Sequence, residues 1–356
     1  MRILHSADLH LDSAFSGRSA EETAYLRQEL LKIPGKISAL CRERGCDLIL
    51  LAGDLFDGAW TAEGVYALKN ALKEAAVPVF ISPGNHDFCV PESPWLVETW
   101  PENVHIFKKN VIESVALPEL DCRIYGAAFI GMDCDALLEN FRKEGEESHH
   151  IAVLHGDTLQ KKSPYNPISQ AQVAASGLSY LALGHVHKTG SFRAGKTLCA
   201  WPGCPMGRGY DELEEKGVLL VELQQQAEIT FIPLDGPRFY DLEVPVLTDP
   251  VSALETALPA VGSRDYYRVT LTGEWDCLDM AALAAQFTQF PNLELRDHTI
   301  PVTDPWASVG EDSLQGMYFG ILHDAMSSAD EKEREIIQLA AKISRSILDG
   351  REVALP

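Results

Sequence analysis

Five short clusters of aspartate, asparagine and histidine stand out in this chain of 356 residues: Asp8-Leu9-His10, Gly53-Asp54-Leu55-Phe56-Asp57, Gly84-Asn85-His86-Asp87, His155-Gly156 and Gly184-His185-Val186-His187. Carboxylate and amide oxygens together with imidazole nitrogens are the ligands of hard or borderline divalent cations. Taken singly, each cluster is ordinary. A histidine near a strand end is more often hydrogen-bonded than metal-bound, and Asn-His-Asp after Pro83-Gly84 reads equally well as a turn. Five such clusters in one chain, each following an apolar run, point instead to one shared cleft.

The runs before the clusters supply the scaffold. Arg2 to Ala7 reads as a strand, and Asp47 to Ala52 is continuously apolar after its first residue, the pattern of a strand buried on both faces. Val77 to Ser82, Ile151 to Leu154 and Tyr180 to Leu183 read as further strands, with Gly217 to Leu223 and Ala227 to Pro233 as a closing pair. Between them, Glu21 to Arg44 has a helical period broken or kinked near Pro34-Gly35, and Ala62 to Ala75 is helical throughout. Strand–helix alternation predicts an α/β domain whose strand-end loops carry the clusters, and glycines there let the backbone turn sharply.

The pattern restarts near Gly236-Pro237. Phe239 to Val246, a helix over Val251 to Leu258, Tyr266 to Thr272, a helix over Met280 to Phe290 and Asn292 to Arg296 make a β-α-β-α-β unit. Three regions are therefore expected: 1–238, a small α/β domain at 239–300, and a connector with C-terminal helices at 301–356. The two last helices span Ser313 to Met326 and Asp330 to Leu348; Ser328 and Glu331 have capping-box spacing, and Gly350 is a stop. Ile336, Ala340, Ile343 and Ile347 form an apolar stripe expected to pack on Leu314, Met317, Ile321 and Leu322.

Composition narrows the classes. No apolar run is long enough to span a bilayer and nothing at the start resembles a secretory signal, so a cytoplasmic protein without membrane association is expected. The eight cysteines contain no CxxC pair and read as free thiols. A net charge of −22 is unusual for a protein that grips DNA phosphates. Between Gly156 and Tyr210, however, one acid, Asp157, faces Lys161, Lys162, Lys188, Arg193, Lys196 and Arg208. Of these, Lys161, Lys162, Lys188 and Arg208 are candidate nucleic-acid contacts, the alternative being a solvated face.

The ordered clusters resemble the calcineurin-like metallophosphoesterase superfamily over residues 1 to about 238. That resemblance implies two β-sheets sandwiched between helices, and two divalent ions, Mn2+ foremost with Fe2+, Zn2+ or Mg2+ as alternatives. One ion would be held by Asp8, His10, Asp54 and His187. The other would share Asp54 and add Asn85, His155 and His185. His86 is then free to assist a leaving oxygen, while Asp57 and Asp87 either orient histidines and waters or serve as turn carboxylates. The Gly53 and Gly84 clusters, with Trp201-Pro202-Gly203-Cys204-Pro205 and Lys216-Gly217-Val218, resemble the Mre11/SbcD group of DNA repair nucleases. Asp8-Leu9-His10-Leu11-Asp12 is close to its YhaO-like bacterial branch. The resemblance implies exonuclease action on DNA, a DNA-binding cap at 239–300, a homodimer, and a C-terminal helix that docks on an SMC-like ATPase of the Rad50/SbcC type. Purple acid phosphatases fit less well, because they place a tyrosine ligand where this chain has Asp57. Two rival classes remain: a small-molecule phosphodiesterase or phosphatase, and a subunit that only scaffolds an ATPase.

Overall fold

The computed structural model describes residues 1–213, 215–302 and 304–350, which divide after Tyr240 into two compact units. The first unit holds two six-stranded sheets. Strands β1 (Arg2–Ser6), β2 (Leu48–Leu51), β3 (Val79–Ile81) and β4 (Val104–Ile106) run parallel, and β11 (Gly217–Leu223) and β12 (Ala227–Pro233) extend the β1 edge antiparallel, giving the order β12-β11-β1-β2-β3-β4. The second sheet has the order β5-β6-β7-β8-β10-β9. Its strands are β5 (Glu113–Leu117), β6 (Cys122–Gly126), β7 (His149–His155), β8 (Tyr180–Gly184), β9 (Gly190–Ala194) and β10 (Thr197–Trp201).

Burial on both faces explains the apolar runs. Along β7, Ile151 and Val153 enter the core between the sheets with Ile3, Leu48, Leu50, Phe80 and Val221, while Ala152 and Leu154 enter a second core with Leu138, Val173 and Trp201. In β8, Tyr180 and Ala182 face the first core and Leu181 and Leu183 the second. Outside the first sheet, α1 (Ala20–Arg44) packs on α2 (Ala62–Ala75), burying Leu26, Leu30, Ile33 and Ile37 with Val65, Leu68 and Leu72. Each such side chain contributes roughly 1.5–3 kcal/mol of transfer free energy. A short α3 (Pro94–Val97) and α4 (Gln170–Ser176), the latter capped by Ser169 and Gln172, complete this unit. Two mixed sheets with flanking helices are thus the observed fold.

Several sequence expectations need correction. The first helix is not broken at Pro34: α1 runs through it, with Ile33, Pro34 and Ile37 all buried. Packing compensates there for the missing N–H. Strands β4, β5, β6, β9 and β10 escaped the sequence reading; β4 has only three residues, and β5 and β9 are partly exposed along their whole length.

The second unit begins within β13 (Phe239–Pro245), which forms a three-stranded sheet, β13-β14-β15, with β14 (Tyr266–Thr272) and β15 (Leu293–Asp297). α5 (Pro250–Ala257) lies between the first two strands. The helix expected over Met280 to Phe290 is only the short α6 (Met280–Ala284). α7 (Leu314–Met326) and α8 (Glu331–Leu348) follow. The capping box of α8 is Asp330 with Glu333, not Ser328 with Glu331. The expected stripe of α8 is not the covered one. Ala341 and Arg345 are buried, Ser344 bonds Tyr318 at 2.8 Å, and Arg345 reaches Ser308 and lies over Phe319, whereas Ile336, Ile347, Leu314, Met317 and Ile321 are exposed. All eight cysteines are unpaired, and only Cys277 is exposed. No helix among the described residues is long and apolar enough to cross a membrane.

One buried histidine gives the fold a pH signature. His5 lies in the core between the sheets, accepting from the Tyr180 hydroxyl at 2.8 Å on Nδ1 and donating from Nε2 to the Leu183 carbonyl at 3.1 Å. Burial lowers its pKa to about 3, the Leu183 carbonyl opposing only in part. The unfolded chain takes up this proton near pH 6.5, so its neutral form stabilises the fold above that pH and the benefit is lost progressively as pH falls towards 3. Urea unfolding at pH 7, 6, 5 and 4 should show wild type losing stability faster than His5→Gln, by up to about 1.4 kcal/mol per pH unit. Parallel pH curves for the two proteins would refute the assignment.

Candidate metal centre

The five clusters meet where the strands of both sheets end. Beyond β1 and β2 the two loops zip together: the Asp8 N–H donates to the Gly53 carbonyl at 3.0 Å, His10 to Asp54 at 2.9 Å and Leu11 to Leu55 at 2.8 Å. Asp8, His10, Asp54 and His185 all sit at positive φ, 52°, 47°, 51° and 92°. Such conformations cost of the order of 1–3 kcal/mol each and persist only where surroundings over-determine them. Two glycines permit the close approach. A Cβ on Gly184 would collide with the Ala52 carbonyl, and one on Gly84 with the Asp54 carboxylate and the His155 ring.

The histidines are held by one nitrogen and present the other. His155 Nδ1–H donates to the Ala52 carbonyl at 2.9 Å, His187 Nδ1–H to Glu212 at 2.7 Å, and His10 Nδ1–H to Asp57 at 3.3 Å. Each tautomer leaves Nε2 as a lone pair. These lone pairs converge with other acceptors. Nε2 of His10 lies 3.2 Å from that of His187 and 3.9 Å from Asp54 Oδ2, and Nε2 of His155 lies 3.3 Å from Asp54 Oδ2 and 3.0 Å from Asn85 Oδ1. Asp8, His10 and His187 form one group that could hold a cation, Asp8, Asp54 and His155 a second, and His10, Asp57 and His86 a third. Acceptors massed in a buried space repel one another unless a positive charge lies among them, so the donor set fits divalent cations.

His185 enters differently. Its backbone N–H donates to both oxygens of Asp8, and its ring lies 5.2 Å from His155 and 4.9 Å from Tyr165. Asp57 accepts from His10, from His86 at 3.0 Å and from Ser13 at 2.7 Å, and the two histidine bonds hold its carboxyl far below the usual range. The same Asp57 bond raises the pKa of His86, against partial burial. Asp87, by contrast, is held by backbone donors. It accepts from the backbone N–H groups of Gly84, Asp54, Leu55 and Phe56, riveting two of the loops together. Burial, with the Asp54 charge second, raises it to about 7 against those donors.

Sequence reading missed Glu212. It is 2% exposed, and hydrogen bonds from His187 and Arg208 depress its pKa although burial alone would raise it. The basic candidates separate: Lys161, Lys162 and Lys188 are exposed, but Arg208 is turned inward onto Glu212, with Nη2 2.6 Å from Oε1.

Comparison with known proteins agrees with this geometry. Residues 1–189 match the model of the calcineurin-like phosphoesterase family. The uncharacterized metallophosphoesterase YhaO of Bacillus subtilis (strain 168) is 35% identical over 237 residues, covering 63% of this chain; the chain spans 57% of that relative's length. The SbcD component of the SbcCD nuclease of the same organism is 23% identical over 273 residues, covering 65% of this chain and 68% of the relative. Among solved structures, TT1561 of Thermus thermophilus is similar with a TM-score of 0.40 at 16% identity, over 65% of this chain and 98% of that one. With more than half its length matched, this chain belongs to the calcineurin-like phosphoesterase family, whose members bind two divalent metals.

Proposed function

We propose that the chain is a two-metal phosphodiesterase acting on DNA in the cytoplasm, an exonuclease of the Mre11/SbcD kind. The observation that carries the metal-dependent part is the convergence of three tautomer-fixed histidines on the buried Asp54 and Asp8. Asp8, His10, Asp54 and His187 would hold one cation; Asp54, Asn85, His155 and His185 the other. Mixed oxygen and imidazole donors accept Mn2+, Fe2+ or Zn2+, of which we take Mn2+ as the native ion. When bound, the pair supplies an activated water and neutralises charge on a phosphodiester. His86 then acts from the chain's side. Its side chain is 46% exposed; Asp57 holds Nδ1–H and raises the pKa, so that in the imidazolium form Nε2–H would give its proton to the departing sugar oxygen and leave a neutral ring.

The likeness to the SbcD component supports DNA as substrate, and Lys161, Lys162 and Lys188 offer phosphate contacts. In the same reading, residues 239–300 are a DNA-binding cap and the protein is a homodimer. The net charge of −22 favours a second reading, a small-molecule phosphodiesterase using the same centre. Turnover of linear plasmid DNA, cyclic nucleotides and bis-p-nitrophenyl phosphate with Mn2+ separates the two. Under the nuclease reading, His86→Asn retains two manganese ions per chain and cuts DNA turnover by about two to four decades. It affects the nitrophenyl ester far less, since that leaving group departs as a stable anion. Metal loss in His86→Asn would make His86 a ligand. Cyclic nucleotide turnover with inert DNA would establish the small-molecule reading instead.

The exposed apolar residues of α7 and α8 support an SMC-like ATPase of the Rad50/SbcC type as partner. Leu314, Ile321, Ile336 and Ile347 are 84%, 69%, 60% and 62% exposed, and exposed apolar patches mark interaction surfaces. The double substitution Ile321→Glu and Ile347→Glu should leave folding and small-diester hydrolysis intact and abolish co-purification with such an ATPase. Unchanged affinity would remove this face from the interface.

A further inference from the structure

Arg208 lies between two carboxylates, each of which holds a histidine of the metal centre. Its Nη2 donates to Glu212 Oε1 at 2.6 Å and its Nε to Oε2 at 3.2 Å, and its backbone N–H adds a bond to Oε2 at 2.8 Å. Nη1 of the same guanidinium is 3.6 Å from Asp57 Oδ2 and 3.5 Å from Ser13 Oγ. Beyond the two carboxylates stand the rings: Glu212 accepts from His187, and Asp57 from His10 and His86. One guanidinium therefore ties together the supports of the two histidines whose Nε2 atoms are 3.2 Å apart.

We propose that Arg208 and Glu212 are positioning residues of this centre: Glu212 fixes the tautomer and aim of His187, and Arg208 locks Glu212 and Asp57 in one frame, so that His187 and His10 face the same cation. A carboxylate as buried as Glu212 needs a partner charge, and removing that partner is far costlier than never having had the pair. Arginine suits the task because its planar fork reaches acceptors on two sides at once, whereas lysine offers a point charge. The assignment takes Arg208 out of the set of DNA contacts. It rests on the proposed ligand role of His187 and His10.

Calorimetric titration of the metal-free full chain with Mn2+ tests it, alongside thermal melts by circular dichroism. Glu212→Gln, nearly isosteric, should bind Mn2+ about ten- to a hundredfold more weakly while melting as a folded protein. Arg208→Met should show the same loss, and Arg208→Lys should fall between it and wild type. For Arg208→Met the slope of log K for DNA against log salt should equal that of wild type, where a phosphate contact would reduce it by about one. Wild-type Mn2+ affinity in folded Glu212→Gln and Arg208→Lys, or a reduced salt slope, would overturn the proposal. His187→Ala is the control. If it too binds Mn2+ like wild type, the ligand role fails and the proposal with it; if it alone loses affinity, only the positioning proposal fails.

Discussion

The structure of the first unit turns on one electrostatic constraint: too many acceptors share too little space. Asp8, Asp54, Asn85 and the Nε2 atoms of His10, His155 and His187 converge, and none of the three histidines can turn its single proton inward. Without a cation, His155 relieves the crowding by taking up a second proton, for which, against burial, the Asp54 charge raises its pKa to about 9. A carbonyl, a glutamate and an aspartate hold those protons on the opposite nitrogen. The arrangement is costly without positive charge and favourable with it, which is how a fold commits itself to a cation before one arrives.

Everything around the centre serves that convergence. Two sheets must bring their strand ends within van der Waals reach, so Gly184 and Gly84 stand where a side chain would collide with the Ala52 carbonyl or with Asp54 and His155. The loops must hold left-handed conformations at Asp8, His10 and Asp54, so they bond to one another and to Asp87 from below. Apolar strands buried on both faces supply rigidity, because alternate residues of β7 and β8 fill two separate cores. Precision in the first layer is borrowed from packing in the layers behind it.

The clusters were legible in the sequence because each follows a continuous apolar run, and such runs mark strands wherever both faces are covered. The acidic stretch that contains Glu212 carries no such mark. Four of the five residues from Asp211 to Glu215 are acidic, and nothing in their order says which one turns inward to His187. The Glu212 contact of Arg208 was hidden for a related reason, since nothing in a basic stretch says which residue has an acidic partner. Pro34 and the stripe of α8 show the limit of local rules. Packing on α2 carries α1 through the proline, and on α8 the buried face is set by small Ala341 and by Arg345 over Phe319, although Ile336, Ile343 and Ile347 mark a different face.

The central claim is that the acceptors around Asp54 are two cation sites and not one. Anomalous difference maps from crystals grown with Mn2+, collected on both sides of the manganese absorption edge, measure this directly. The account predicts two peaks flanking the Asp54 carboxylate, one among Asp8, His10 and His187 and the other among Asn85, His155 and His185. A single peak, or manganese bound away from Asp54 in crystals of active protein, would contradict it.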